Sequence, residues 1–119
     1  MPSGSRMIFL STSLCHATNL SPAYLLYLAT KGAVEQMVRV LSKDLAAKNI
    51  MVNAVSPGPT DTNLFNAGMS EDVLNYVKGL IPAGRIGRPE EVADAIAFLS
   101  GNDGRWVSGQ VLRVNGGFA

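Results

Sequence analysis

A single cysteine and a single histidine stand among 119 residues, and their scarcity excludes several chemistries at once. Cys15 has no partner for an internal disulfide, and no CxxC or Cys/His spacing is present to hold a metal. His16 is its neighbour, but adjacent side chains on an extended segment point apart, so Cys15 reads as a loop thiol rather than half of a thiolate pair. A reducing, cytoplasmic location is the expectation. Charge of one sign is also lacking: ten Lys and Arg against nine Asp and Glu leave a formal +1. That is too little to gather nucleic acid, anionic lipid or a polyacid. Long hydrophobic runs are missing too. None approaches the roughly 20 apolar residues of a membrane span, and the opening MPSGSR leads only into a short apolar run, unlike a signal peptide. The partner these absences leave is a small neutral molecule.

What is present suits one folding unit. With 47% hydrophobic residues the chain can build one core and is too short for two. Met7 to Leu10 reads as a strand buried on both faces of a parallel sheet, running into the polar end Ser11-Thr12-Ser13. A loop from Cys15 to Ala23 follows, with a helix start near Ser21-Pro22. From Tyr24 to Lys48 the apolar positions Leu25, Leu28, Ala29, Ala33, Met37, Val40, Leu41 and Leu45 recur at helical spacing. Ile50 to Val55 reads as a second buried strand, broken by Ser56-Pro57-Gly58-Pro59, where regular structure cannot continue. Asn63 to Met69 reads as a mobile stretch. Ser70 caps a helix whose first turn carries Glu71 and Asp72 and which ends by Pro82. Arg88-Pro89-Glu90-Glu91 opens another, with Val92, Ala95, Ile96 and Leu99 on one face before Gly101. Gln110 to Val114 is the last strand. This order implies an α/β fold with a parallel sheet. Three strands leave long apolar edges, so something covering the first strand is missing.

The chemistry is concentrated at Tyr27 and Lys31. Four residues apart on a helix, they lie about 40° apart round the axis and one turn apart along it, so both can face one cavity. A phenol is a weak acid at neutral pH, but an ammonium ~4 Å away at an effective dielectric of ~20 favours the phenolate by up to ~4 kcal/mol. That suits proton transfer. A Tyr-x-x-x-Lys pair alone is common; the strand-end hydroxyls a loop's length earlier sharpen it, because a hydroxyl beside the tyrosine can hold a substrate oxygen. Asn53 reads as a buried, hydrogen-bonded strand residue, and Arg85 and Arg88 as solvated loop charges.

FLSTS, Tyr27-Leu28-Ala29-Thr30-Lys31-Gly32, VNAVSPGPTDT, GRIGRPEEVADAIAFLS and SGQVLRVNGG together resemble, in order, the C-terminal half of short-chain dehydrogenases/reductases. The resemblance covers nearly the whole chain. It implies a Rossmann-like, doubly wound parallel sheet, of which residues 1–119 are the last three strands and flanking helices of one NAD(P)-binding domain. It also implies that Tyr27 is the acid/base and that Lys31 assists it and binds the nicotinamide ribose. Ser13 would hold the carbonyl or hydroxyl oxygen of a small alcohol/carbonyl substrate. Ser11 shares a strand face with Ser13; the family's spacing to the tyrosine selects Ser13. Pro57, Gly58, Thr60 and Thr62 resemble the family's cofactor loop, Thr60 meeting the carboxamide through its backbone and Thr62 a phosphate. No metal is implied, and NAD and NADP are not distinguished. By analogy with the family, Trp106 lies at a subunit contact or the core margin, and the complete protein is a homo-oligomer, a dimer or tetramer. The glycine-rich pyrophosphate turn of the N-terminal half has no counterpart here. The expectation is that this chain alone, whether a truncated fragment or a partner of full-length relatives, is inactive.

Overall fold

Seven residues of β2, Met51–Pro57, carry the centre of the molecule. In the computed structural model, which describes all residues 1–119, β1 (Arg6–Leu10) and β3 (Val111–Val114) flank this strand, both parallel to it. Arg6 pairs with Met51 and Leu10 with Val55 on one side; Ala54 pairs with Val111 and Pro57 with Val114 on the other. This is the α/β arrangement expected from the order of patterns. Val52, Ala54 and Val55 are fully buried, as a strand enclosed on both faces requires. β1 departs from expectation: its residues are only partly covered and Leu10 is 50% exposed, because the strand lies at the sheet edge with no neighbour on its other side.

α1 spans Leu25–Asp44, preceded by a 3-10 turn at Pro22–Tyr24 that Ser21 caps by accepting from the Ala23 N–H. Val38, at its buried face, joins Ile50, Val52 and Ala54 in the core, with Met7, Phe9, Leu41, Leu45 and Val111 packed around them. The helix stops short of the expected Lys48. A 3-10 turn at Ala46–Lys48 and a left-handed Asn49 (φ 55°) reverse the chain into β2, a conformation asparagine tolerates better than most side chains. Asn53 behaves as expected, its amide donating to the Val107 carbonyl and accepting from the Gln110 N–H, which pins the approach to β3.

Beyond β2, the segment expected to be mobile contains a short helix, α2 (Asn63–Asn66), capped by Thr62. Ser70 caps α3 (Glu71–Gly79) by accepting from the Val73 N–H. α4 (Pro89–Ser100) starts with Pro in its first turn and Glu91 accepting from the Arg88 N–H, buries Leu99 and ends at Gly101. Trp106 is 92% exposed and packs against nothing within the chain's core.

Candidate active site

Helix α1 brings Tyr27 and Lys31 together as their spacing demands. The Lys31 ammonium lies 5.9 Å from the centre of the Tyr27 ring and donates to the Leu10 carbonyl at 2.9 Å, so it is fixed between the helix and the C-terminal end of β1. With one protein acceptor for three N–H groups, it keeps donors free. Tyr27 is 44% exposed, its hydroxyl bonds no protein group, and Tyr24 tilts against it at 6.4 Å between ring centres. A phenol and a cation thus share one accessible surface.

The three hydroxyls at the end of β1 diverge. Ser11 donates to the Glu35 carboxylate at 2.6 Å. Ser13 is 0% exposed, donates to the Ser56 carbonyl at 2.8 Å and accepts from the Asn115 amide at 3.0 Å. Thr12, 8% exposed, heads a 3-10 turn (Ser13–His16) and accepts from the Leu14 N–H. Ser13 therefore faces the ends of β2 and β3 and makes no hydrogen bond to Tyr27 or Lys31. That 3-10 turn also revises the view of Cys15 and His16 as pointing apart. His16 Nε2 lies 3.1 Å from Glu35, and Cys15 Sγ lies 3.8 Å from the Ser11 hydroxyl, so the turn converges both on one cluster. Burial pushes the Cys15 thiol up, opposed by the Ser11 hydrogen bond and reinforced by the nearby Glu35 charge, which keeps it in the unreactive form.

The loop after β2 is held by its own backbone. Gly58 N–H donates to the Val114 carbonyl, and a Cβ at Gly58 would lie 2.7 Å from that of Asn115, so only glycine fits. Thr60 donates to the Gly58 carbonyl and pairs with Gly87 in a parallel bridge, while Thr62 accepts from the Phe65 N–H. Pro59, Thr60, Arg85, Arg88 and Asn115 are among the residues lining a cavity of about 220 Å³; a second, of about 430 Å³, has Asp61, Lys78, Arg85 and Arg88 on its wall. Neither includes Ser13, Tyr27 or Lys31. Arg85 and Arg88 stand exposed, as their sequence suggests, and both also pair with Glu91. Arg85 grips Glu91 through two hydrogen bonds of 2.9 and 2.6 Å, and this contact, with the Arg88 N–H, lowers the Glu91 carboxyl from 4.5 to about 2. Sequence reasoning missed Asn115 and Glu35: each looks like an ordinary turn or helix-surface residue, and nothing local signals its distant partner.

The groups present suit the nicotinamide-ribose end of a dinucleotide. Free N–H donors on Lys31 and the unpartnered Tyr27 hydroxyl match ribose hydroxyls, and the Thr62 hydroxyl keeps its proton available for an anionic oxygen. No group of three or more His, Cys, Asp or Glu side chains could hold a metal, and no helix is long and apolar enough to cross a membrane.

A parallel sheet with crossover helices, the first of which carries the Tyr-Lys pair, defines a Rossmann-like α/β protein. A family model described as enoyl-(acyl carrier protein) reductase matches residues 1–119, and the chain belongs to the short-chain dehydrogenase/reductase family. It is 43% identical over 114 residues to NADPH-dependent aldehyde reductase 2, chloroplastic, of Arabidopsis thaliana, covering 96% of this chain and 41% of that protein. A short-chain type dehydrogenase/reductase of Picea abies is also 43% identical over 114 residues, with the same coverage. Among solved structures, a blue fluorescent protein from a metagenomic library in complex with NADPH superposes with a TM-score of 0.90 at 37% identity, over 100% of this chain and 47% of that one. The angucycline C-6 ketoreductase LanV with bound NADP gives 0.88 at 35%, over 99% and 45%. The chain spans about 40% of the length of these curated relatives.

Proposed function

We propose that the complete protein is an NAD(P)-dependent oxidoreductase that interconverts a small alcohol and its carbonyl compound. The observation that carries this reading is the Tyr27–Lys31 pair, with the ammonium pinned at the end of β1 and the phenol open to solvent. In the reducing direction Tyr27 gives its proton to the carbonyl oxygen, and Lys31 stabilises the phenolate left behind. When bound, the nicotinamide supplies the hydride. Tyr27, Lys31, Pro57, Gly58, Thr60 and Thr62 would hold its nearer half; the NADPH-dependent and NADP-bound relatives favour NADP over NAD. The third member of the group is a strand-end hydroxyl, which family spacing assigns to Ser13.

The test is turnover of a carbonyl panel by the full-length protein with NADPH and with NADH. Tyr27→Phe is expected to lower kcat by about 10²–10⁴; undiminished turnover overturns the reading. A second reading, a non-catalytic chain that docks on full-length relatives, is favoured by the uncovered edge of β1. Size-exclusion of the 119-residue chain with NADPH titration separates the two: a folded monomer binding NADPH at micromolar concentration excludes the second.

A further inference from the structure

We propose that Glu35 is a positioning residue for the reaction: from the helix that carries Tyr27 and Lys31 it grips both flanks of the short segment that carries Ser13, and so fixes hydroxyl and phenol relative to each other. This rests on the oxidoreductase reading and adds the side chain that joins the two halves of its site. Tyr27, Lys31 and Glu35 follow one another at intervals of four along α1, which puts the carboxylate one turn beyond the ammonium on the same stripe of the helix. The Glu35 carboxylate accepts from the Ser11 hydroxyl at 2.6 Å and lies 3.1 Å from His16 Nε2. Ser11 stands two residues before Ser13, and His16 three residues after it. One side chain of α1 therefore reaches the segment on either side of Ser13.

The Ser11 bond is charge-assisted, and such bonds are about twice as strong as neutral ones. An ionised carboxylate only accepts, so the proton between Glu35 and His16 sits on Nε2, where the imidazole can keep it whether neutral or charged. The His16 and Glu35 side chains are 24% and 14% exposed, so salt screens their contact weakly. Lys31 adds a third hold by donating to the Leu10 carbonyl at 2.9 Å. Two successive turns of α1 thus take Leu10, Ser11 and His16. From the opposite side the sheet keeps its own hold: the Ser11 N–H donates to the Val55 carbonyl at 2.8 Å, and Ser13 bonds the Ser56 carbonyl and the Asn115 amide. Removing the carboxylate therefore leaves Ser13 seated on the sheet and frees the helix to shift against it. The spacing between Ser13 and Tyr27 changes, while the sheet stays as it is.

The test uses the full-length protein, assayed well below the thermal midpoint of every variant. Glu35→Ala is expected to lower kcat by about tenfold to a hundredfold, as misplacement of a reacting group does. KM for NADPH should change by less than about threefold, because Lys31 keeps its bond to Leu10. Glu35→Gln, which keeps an acceptor oxygen at the same reach, should bring kcat back to within about fivefold of the parent. Since Glu35 acts through Ser13, adding Glu35→Ala to Ser13→Ala should cost less than about threefold further. An unchanged kcat in Glu35→Ala, with only the thermal midpoint lowered, overturns the proposal. So does a loss that is just as large in the Ser13→Ala background. If Glu35→Ala does not fold, Ser11→Ala and His16→Leu each remove one arm of the grip, and full turnover by both overturns it. Tyr27→Phe separates the two levels: an active Tyr27→Phe sinks the oxidoreductase reading itself, whereas an inactive Tyr27→Phe beside a fully active Glu35→Ala sinks only the role of Glu35.

Discussion

Asn115 reaches several points around the ends of β1, β2 and β3. Its amide donates to the Ser13 hydroxyl and to the Ala119 carbonyl, its oxygen accepts from the Gly117 N–H, and its Cβ leaves Gly58 no room for a side chain. Asn115→Ala removes the donor from two acceptors and is expected to cost about 1–3 kcal/mol, measured by denaturant unfolding of the full-length protein. Gly58→Ala is a sharper test of packing. Its new methyl would meet the Cβ of Asn115 at 2.7 Å and its Cα at 2.9 Å, and backbone cannot swing aside as a long side chain can. A loss of about 1–3 kcal/mol is expected, with weakened cofactor binding because the loop through Thr62 moves with it. At this scale the sequence is legible only where partners are local. Tyr27 and Lys31 could be paired because a helix places residues four apart on one face. Ser13 and Asn115 could not, because only the parallel alignment of the strands brings their ends together.

Among the elements, α4 shows how a helix start becomes a fixed wall of a cavity. Glu91 closes its first turn by accepting from the Arg88 N–H and anchors Arg85 across the preceding loop. Since folding lowers the Glu91 carboxyl from 4.5 to about 2, its stabilising contribution is fully present above 4.5 and disappears as pH falls toward 2. Carboxyl NMR titration should therefore show Glu91 rising toward its ordinary value in Arg85→Ala, and added salt should shift it the same way because the pair is exposed. The starts of α3 and α4 were readable because Ser70 and Arg88-Pro89 are local signals. The end of α1 was not, since its apolar period runs past Asp44 and nothing in that period marks the left-handed Asn49. The burial of β1 was misjudged for another reason: an apolar run reveals what a strand wants to be covered by, not whether the covering segment is present.

Taken whole, the chain buries little of itself. Its accessible surface is 7507 Å², against about 6,200 Å² for a self-contained globular protein of this mass. Its radius of gyration is 15.5 Å, against about 13.5 Å for a compact domain of this length. Leu26, Val40, Leu64 and Trp106 all stand largely exposed. The isolated 119 residues are accordingly expected to self-associate or to bind an apolar dye strongly, and sedimentation velocity across a tenfold concentration range would show the former; a concentration-independent monomer without dye binding would contradict it. The fold class and the order of elements along the chain are legible because short apolar runs alternate with helical patterns of period 3.6, whereas the degree of covering depends on contacts no single segment encodes.

The Ser13–Asn115 bond also sets an order of assembly. The helical pair Tyr27–Lys31 can form within one turn of nascent α1, but the Ser13–Asn115 bond must wait until the final strand has found its register, after nearly the entire polypeptide is in place. The candidate site is therefore a late product of folding, and substitutions at Asn115 should accelerate unfolding while leaving the refolding rate almost untouched.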